Sequence, residues 1–228
     1  MSDQLSLISE QREKCEVAPD AWLIPDWMNL DQQQELLEWL RFWCKGGFTT
    51  PCLPFGDRLP LSVQVCCLGY HWEPYQYSEP KRDLPARLLF TYTRALAAVF
   101  QHRRFFPPRD CYYAPDTAIV NWYSPEAKLG MHQDKSEDVE LLRCGSPIVT
   151  VALGDSCTFR LGNCESKNQP YIDFEMRSGD VFIMAGASRM AYHGVMKIHA
   201  GTAPKELGMT KPGRLSVTIR QARLGGAK

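Results

Sequence analysis

The 228-residue sequence lacks a net charge, a long hydrophobic run and paired CxxC cysteines. Its 26 basic and 26 acidic residues balance, which argues against a chain-wide electrostatic attraction to nucleic acid. No apolar run approaches the roughly 18 residues that a membrane helix needs, and the polar start lacks the basic-then-apolar order of a secretory signal. These absences predict a cytoplasmic protein without a membrane partner.

The nine cysteines are an odd number and are scattered along the chain, so neither a zinc site nor a disulfide framework is indicated. Reduced thiols are the simplest interpretation, and adjacent Cys66 and Cys67 are expected to pack in the core. Local basic segments do exist, at Lys81–Arg82, at His102–Arg104 and in the C-terminal tail. They could give a polyanion one positive face, or they could be ordinary solvated charges.

Two amphipathic helices are predicted in the first half of the chain. Residues 1–20 form a polar arm, and residues 21–228 are expected to be a single domain. The first helix is predicted over 31–47, with Asp31 capping its start. The second is predicted over 85–101, with Pro85 in its first turn. Both helices have one apolar stripe and therefore need a partner surface.

Beyond residue 116 the hydrophobic period changes to short β runs separated by Gly, Pro, Asn and Asp. Seven strands at this spacing indicate an antiparallel barrel or jelly roll, with the two helices outside it. The fold class is therefore mainly β with flanking helices. The predicted strands are 116–123, 146–153, 157–161, 170–176, 180–186, 190–198 and 214–222.

A metal site is predicted from His132, Asp134 and His193. Side chains two residues apart on an extended segment point to the same side, so His132 and Asp134 can bind one ion. Two histidines and a carboxylate form the triad that non-haem Fe(II) oxygenases use. The pair His71 and Glu73 has a related spacing but no third partner, and His193 could alternatively be a buried histidine satisfied by backbone groups.

Two arginines near the C-terminus favour a dicarboxylate cosubstrate. Arg214 and Arg220 are six residues apart, so on a strand they share one face with Ser216. They are surface charges if that face is outside, but a buried guanidinium requires an anion. 2-Oxoglutarate fits, with Arg214 on its distal carboxylate and Arg220 near the metal, and with Asn121 and Tyr123 adding polar contacts.

Together these fragments resemble the AlkB family of Fe(II)- and 2-oxoglutarate-dependent dioxygenases. The resemblance is carried by NWYSPEAKLGMHQDK, then SGDV, then GASRMAYHG and finally RLSVTIR, in order between about residues 60 and 222. It implies a double-stranded β-helix of jelly-roll type, with a core at about 112–222. It also implies an N-terminal α/β extension, and a nucleotide-recognition lid at about 60–83.

By resemblance, the protein is a DNA oxidative demethylase that acts in direct-reversal repair of alkylated DNA. It would remove N-methyl groups from bases such as 1-methyladenine and 3-methylcytosine, using Fe(II), O2 and 2-oxoglutarate and releasing formaldehyde. Such a methyl group is inaccessible in a duplex, so the partner is single-stranded or base-flipped DNA, possibly RNA. The family resemblance also implies a monomer.

Substrate contacts are expected from Trp72, Tyr75 and Tyr77 of the lid and from Ser136 and Glu137 after the His-x-Asp-Lys motif. The aromatic rings could stack on the base, or they could simply pack over the barrel mouth. Well-known bacterial members carry two acidic residues where this chain has Ser136 and Glu137, which leaves the base preference open. The alternatives are a dioxygenase acting on RNA, protein or a small molecule, and a non-catalytic nucleic-acid-binding domain.

Overall fold

A computed structural model describes residues 12–54, 59–100 and 113–225 of the chain. None of the helices in this part of the chain is both long and apolar enough to span a membrane. The predicted basic stretch at His102–Arg104 lies outside the described residues.

The described residues form three α-helices and twelve β-strands. The helices are α1 (Leu30–Trp43), α2 (Ala86–Phe100) and α3 (Val139–Arg143). The strands are β1 (Cys15–Ala18), β2 (Ala21–Ile24), β3 (Val63–Glu73), β4 (Gln76–Arg82), β5 (Thr117–Tyr123), β6 (Leu129–His132), β7 (Ile148–Gly154), β8 (Ser156–Leu161), β9 (Ile172–Met176), β10 (Val181–Met184), β11 (His193–His199) and β12 (Arg214–Arg220).

The strands build two antiparallel sheets. The larger sheet has the order β1-β2-β10-β7-β12-β5-β3-β4, and the smaller one has the order β6-β11-β8-β9. A buried cluster between the sheets joins Val65 and Ile119 of the larger sheet to Phe159 and Val195 of the smaller one. Two facing antiparallel sheets with non-consecutive strand neighbours are the predicted jelly roll, and the fold class is confirmed.

The helices α1 and α2 cover the outer face of the larger sheet. Leu36 and Leu88 of the helices share one buried cluster with Leu215, Val217 and Ile219 of β12. Because strand side chains alternate, the other residues of β12 point between the sheets. These inward residues are Arg214, Ser216, Thr218 and Arg220, and all four are buried.

Helix α1 begins one residue before the sequence predicts. Its N-cap is Asn29, whose side chain accepts from the Gln32 backbone while the Gln32 side chain accepts from the Asn29 backbone. This reciprocal pair is a capping box, so Asp31 is an acidic residue of the first turn and not the cap. The prediction failed because both Asn and Asp are favourable caps.

The aromatic segment of the predicted nucleotide-recognition lid is a β-hairpin. Strands β3 and β4 pair from Gly69 with Arg82 to Glu73 with Gln76, and Tyr75 takes a positive φ of 74° in the turn. Pairing to β5 on the other side of β3 fixes the hairpin to the large sheet. The predicted lid is therefore continuous with the sheet that supports the candidate site.

The end of the predicted polar arm is also ordered, because β1 pairs with β2 at the edge of the large sheet. The side chain of Arg12 makes two hydrogen bonds to the buried carboxylate of Asp180, at 2.8 and 2.7 Å. The division into an arm and a single domain stays a prediction.

Cysteine chemistry follows the expectation only in part. Seven described cysteines are free thiols, including buried Cys66 and Cys67. Cys144, in contrast, is disulfide-bonded, which corrects the expectation of reduced thiols throughout. An odd cysteine count does not reveal which side chains the fold brings together.

Candidate metal centre and cosubstrate cavity

Pairing of β6 with β11 brings the three predicted metal ligands together. His193 lies directly opposite His132 in this ladder, and their ring centroids are 4.5 Å apart. Asp134 follows β6 by two residues. One ligand atom from each of the three residues lies within 4.8 Å of the others. The spacing of ligand atoms is thus suitable for one bound metal ion.

Both imidazole rings are oriented by backbone carbonyls. Nδ1 of His132 is 2.9 Å from the Gly130 carbonyl, and Nδ1 of His193 is 3.0 Å from the Ala191 carbonyl. A carbonyl only accepts, so each Nδ1 donates this hydrogen bond and Nε2 is the ring nitrogen that remains to bind a metal. The two Nε2 atoms lie 3.6 and 3.5 Å from the carboxylate oxygens of Asp134. Histidines that bind a metal through one ring nitrogen typically donate a hydrogen bond from the other, as both do here.

The protonation states of His132 and Asp134 also favour binding of a metal cation. Burial and, after it, neighbouring His193 lower the pKa of His132 to about 4, so the ring is neutral at pH 7. For Asp134, burial alone would raise the pKa. Arg220 and the two imidazoles outweigh burial and hold the pKa of this carboxyl well below its usual range. Two imidazoles and one carboxylate fit the donor set of a non-haem Fe(II) centre.

A ring of buried charges holds Asp134 in place. Arg220 bridges the carboxylates of Asp134 and Glu137, at 2.8 and 2.9 Å. Arg189 lies 3.2 Å from the other Glu137 oxygen and donates to the Asp134 backbone carbonyl at 2.7 Å. We call these four residues the Asp134 network. It fixes both the side chain and the backbone of the central candidate ligand.

The candidate ligands lie in the wall of a cavity of about 360 Å3 between the two sheets. Its wall combines the metal site, the inward faces of β5 and β12 and part of the β3–β4 hairpin. The polar residues from β5, β7 and β12 are Asn121, Tyr123, Thr150, Ser216, Thr218 and Arg220. A buried, partly polar pocket of this size suits a small dicarboxylate together with part of a second substrate.

The predicted cosubstrate residues face one another across the β5–β12 ladder. Arg214 is opposite Tyr123 and Ser216 is opposite Asn121. Four of the five predicted residues line the cavity; Arg214 lies fully buried behind it. Its guanidinium donates to Ser216 Oγ at 3.3 Å and to the carbonyls of Asp155 and Met176 at 3.0 and 3.1 Å.

Arg214 and Arg220 differ in their partners. Arg220 already has two protein carboxylates, whereas Arg214 forms no ion pair with any described residue. A buried guanidinium without a protein anion is stabilised by an anionic ligand. The role of Arg214 as the cosubstrate clamp therefore stays a prediction, while Arg220 holds Asp134.

Sequence and structure comparisons agree with this geometry. The model of the 2OG-Fe(II) oxygenase superfamily matches residues 20–220. The solved structure of OsALKBH1 aligns with a TM-score of 0.79 and 30% identity, over 91% of this chain and 99% of that chain. The chain belongs to the AlkB family of 2OG-Fe(II) oxygenases. Fe(II), 2-oxoglutarate and O2 are accordingly the metal and cosubstrates that its family implies.

Two curated AlkB relatives indicate the breadth of the family. DNA N(6)-methyladenine demethylase ALKBH1C of Arabidopsis thaliana is 33% identical over 195 residues, which are 78% of this chain and 42% of the relative. Alpha-ketoglutarate-dependent dioxygenase AlkB of Escherichia coli is 39% identical over 110 residues, 48% of this chain and 47% of the relative. The matches span about half the length of these curated relatives.

The predicted substrate residues separate into two groups. Trp72, Tyr75 and Ser136 line the cavity of this AlkB-family chain, and Trp72 Nε1 donates to Ser136 Oγ at 3.3 Å. Tyr77 and Glu137 are buried outside the cavity wall, 3.4 Å apart between hydroxyl and carboxylate. Glu137 is a member of the Asp134 network and Tyr77 donates to it, so the two predicted substrate residues form part of the support behind the cavity wall.

The basic pair Lys81–Arg82, which the sequence offers as a positive face for a polyanion, does not line the cavity. Lys81 is 3.6 Å from Glu73, and Arg82 donates to the Lys45 carbonyl, so both are engaged on the hairpin away from the cavity wall. Exposed Lys135 and Lys167 line the cavity instead. Lys135 stands inside the recognised His-x-Asp-Lys motif, but no motif marks Lys167.

Sequence reasoning missed Arg189 as a site residue. It lies in the GASRMAYHG segment that contributes to the AlkB resemblance, and it is only 1% exposed. A fully buried arginine requires a specific partner, but its partner Glu137 is 52 positions earlier in the chain. The motif could have singled out Arg189, while the pairing could only come from the structure.

Proposed function

We propose that this protein removes N-methyl groups oxidatively from bases in DNA, using Fe(II), 2-oxoglutarate and O2. The substrates include the bases named from the sequence resemblance, 1-methyladenine and 3-methylcytosine, and N6-methyladenine, which the name of the Arabidopsis relative adds. One observation carries the proposal. A single cavity contains the three ligand atoms, the inward polar strands and the aromatic hairpin.

Each part of the cavity has a separate task. His132, Asp134 and His193 would hold the iron, which when bound supplies the oxidising chemistry together with 2-oxoglutarate and O2. Arg214 would pair with the distal carboxylate of the cosubstrate, and Tyr123 and the facing strand would contact the rest of it. The protein residues therefore bind and orient the reactants, and no protein nucleophile is required.

The hairpin would receive the base. Trp72 and Tyr75 lie on the same wall as Ser136, on the side of the cavity that the β3–β4 hairpin forms. Because the ligand atoms lie between the sheets, a methylated base has to leave its stack to reach them. Stacking on aromatic rings offsets part of that cost. A cytoplasmic location and a monomeric state complete the proposal and rest on the sequence alone.

Trp72→Ala is expected to weaken binding of a methylated single strand by about 5-fold to 150-fold, the loss of one stacking contact. Fluorescence anisotropy with a labelled oligonucleotide measures the effect. Trp39→Ala is the matched control, because Trp39 is a 42% exposed tryptophan of α1 that stacks on Trp43 outside the cavity. Equal losses of affinity in both variants would refute a base-stacking role for Trp72.

The function itself is tested with four single-stranded oligonucleotides of one sequence. They contain 1-methyladenine, 3-methylcytosine, N6-methyladenine or no methyl group, and each is incubated with protein, Fe(II), ascorbate and O2, with or without 2-oxoglutarate. We expect mass spectrometry to show loss of one methyl group only when 2-oxoglutarate is present. Intact oligonucleotides throughout would contradict the proposal.

A dioxygenase acting on RNA is the second candidate. The observations in its favour are Ser136, which replaces an acidic residue of well-known bacterial members, and the formal net charge of zero. The same four oligonucleotides made as RNA distinguish the two functions. Faster loss of the methyl group from RNA than from DNA would favour this candidate.

A further inference from the structure

Among the described residues, the wall of the cavity offers no free carboxylate to a base. Among the described residues in its wall, the one acidic side chain is Asp134, a candidate iron ligand that Arg220 already pairs at 2.8 Å. The neighbouring acid, Glu137, has a side chain that is 0% exposed and lies between Arg220 and Arg189. Neither carboxylate is available to a base.

The other charged side chains that line the cavity in the described part of the chain are positive. Lys135 and Lys167 line it together with Arg220. A base methylated on a ring nitrogen, such as 1-methyladenine or 3-methylcytosine, is itself a cation. Burying a cation without an anionic partner is strongly unfavourable, and nearby positive charges add repulsion. A neutral methylated base avoids both costs.

Ser136 also favours a base that can accept a hydrogen bond. Trp72 Nε1 is a donor only, so in their 3.3 Å hydrogen bond the Ser136 oxygen accepts. The hydroxyl proton of Ser136 is therefore available for an acceptor in the cavity. A base methylated on its exocyclic amine keeps the ring-nitrogen lone pair that can accept it. In 1-methyladenine and 3-methylcytosine, the methyl group occupies that position.

We infer that Ser136 makes this site selective for neutral bases methylated on the exocyclic amine, such as N6-methyladenine, over cationic bases methylated on a ring nitrogen. This inference rests on the proposed function, because it ranks the substrates of that same cavity. Ser136 acts through its lack of charge and its donated proton. The buried Asp134 network acts by keeping Glu137 away from the base.

The test is a competition among the three methylated oligonucleotides, followed by mass spectrometry, in the wild-type protein, Ser136→Asp and Ser136→Asn. Asn matches Asp in shape but carries no charge. We expect the wild type to demethylate N6-methyladenine fastest. Ser136→Asp should shift the rate ratio towards the cationic bases by about 10-fold to 100-fold, as a charge-assisted contact does, and Ser136→Asn should not.

Oxygen-free binding provides a second readout that does not depend on turnover. Anisotropy with the same oligonucleotides should show the same change of preference in Ser136→Asp. Faster reaction of the cationic bases in the wild type, or an unchanged ratio in folded Ser136→Asp, would overturn the inference alone. Failure of all three methylated oligonucleotides to react would overturn the proposed function, and the inference with it.

Discussion

His132→Ala is expected to abolish both Fe(II) binding and 2-oxoglutarate turnover. The structure aims Nε2 of His132 at the point shared with Asp134 and His193, and the Gly130 carbonyl fixes the ring in that direction. Alanine removes one of three protein ligands. Mutation of a residue that only hydrogen-bonds to a metal ligand typically lowers metal affinity or activity by about 10-fold to 100-fold. Loss of a ligand should therefore reduce succinate formation by more than about 100-fold.

His199→Ala is the control for this experiment. His199 lies on the same strand β11 as His193, but hydroxyl groups of Ser156 and Thr158 hold its two ring nitrogens at 3.1 and 2.9 Å. This variant should bind Fe(II) in an anaerobic titration as the wild type does. Unchanged succinate formation in His132→Ala would show that the three-residue cluster is not the iron site.

Strand periodicity made the inward face of β12 predictable. An even spacing of residues places Arg214, Ser216 and Arg220 on one side, and the structure places them between the sheets. The direction of that side was less certain from the sequence, because charged residues usually face solvent. The outer face of the strand is covered by α1 and α2, and this packing decides the question.

Long-range pairing was not predictable from the sequence. Glu137 was expected to face the substrate because it follows the His-x-Asp-Lys motif. In the structure its side chain is fully buried, against Tyr77, Arg189 and Arg220. These partners are 60, 52 and 83 positions away, and a local pattern contains no information about them. The strands of the lid were not predicted for a similar reason, because β3 is stabilised by its long-range pairing with β5.

The role of Glu137 leads to a large expected effect on stability. Glu137→Gln keeps the side-chain shape but removes the charge that pairs with Arg220 and Arg189. Breaking a buried ion pair typically costs about 3–5 kcal/mol, because the remaining charge stays buried without its partner. For a domain of this size, that loss lowers the melting temperature by roughly 6–20 °C. Urea unfolding and thermal unfolding measure both quantities.

Glu140→Gln is the control for this experiment, because it removes an exposed carboxylate instead of a buried one. Glu140 pairs with Arg143 at the surface, where the two side chains are 53% and 70% exposed. Exposed ion pairs contribute at most about 1 kcal/mol, since water already solvates both charges. Equal stability of the two variants would contradict the buried network. If Glu137→Gln is the less stable variant, the carboxylate is a structural anchor for Asp134, and base selection is left to Ser136.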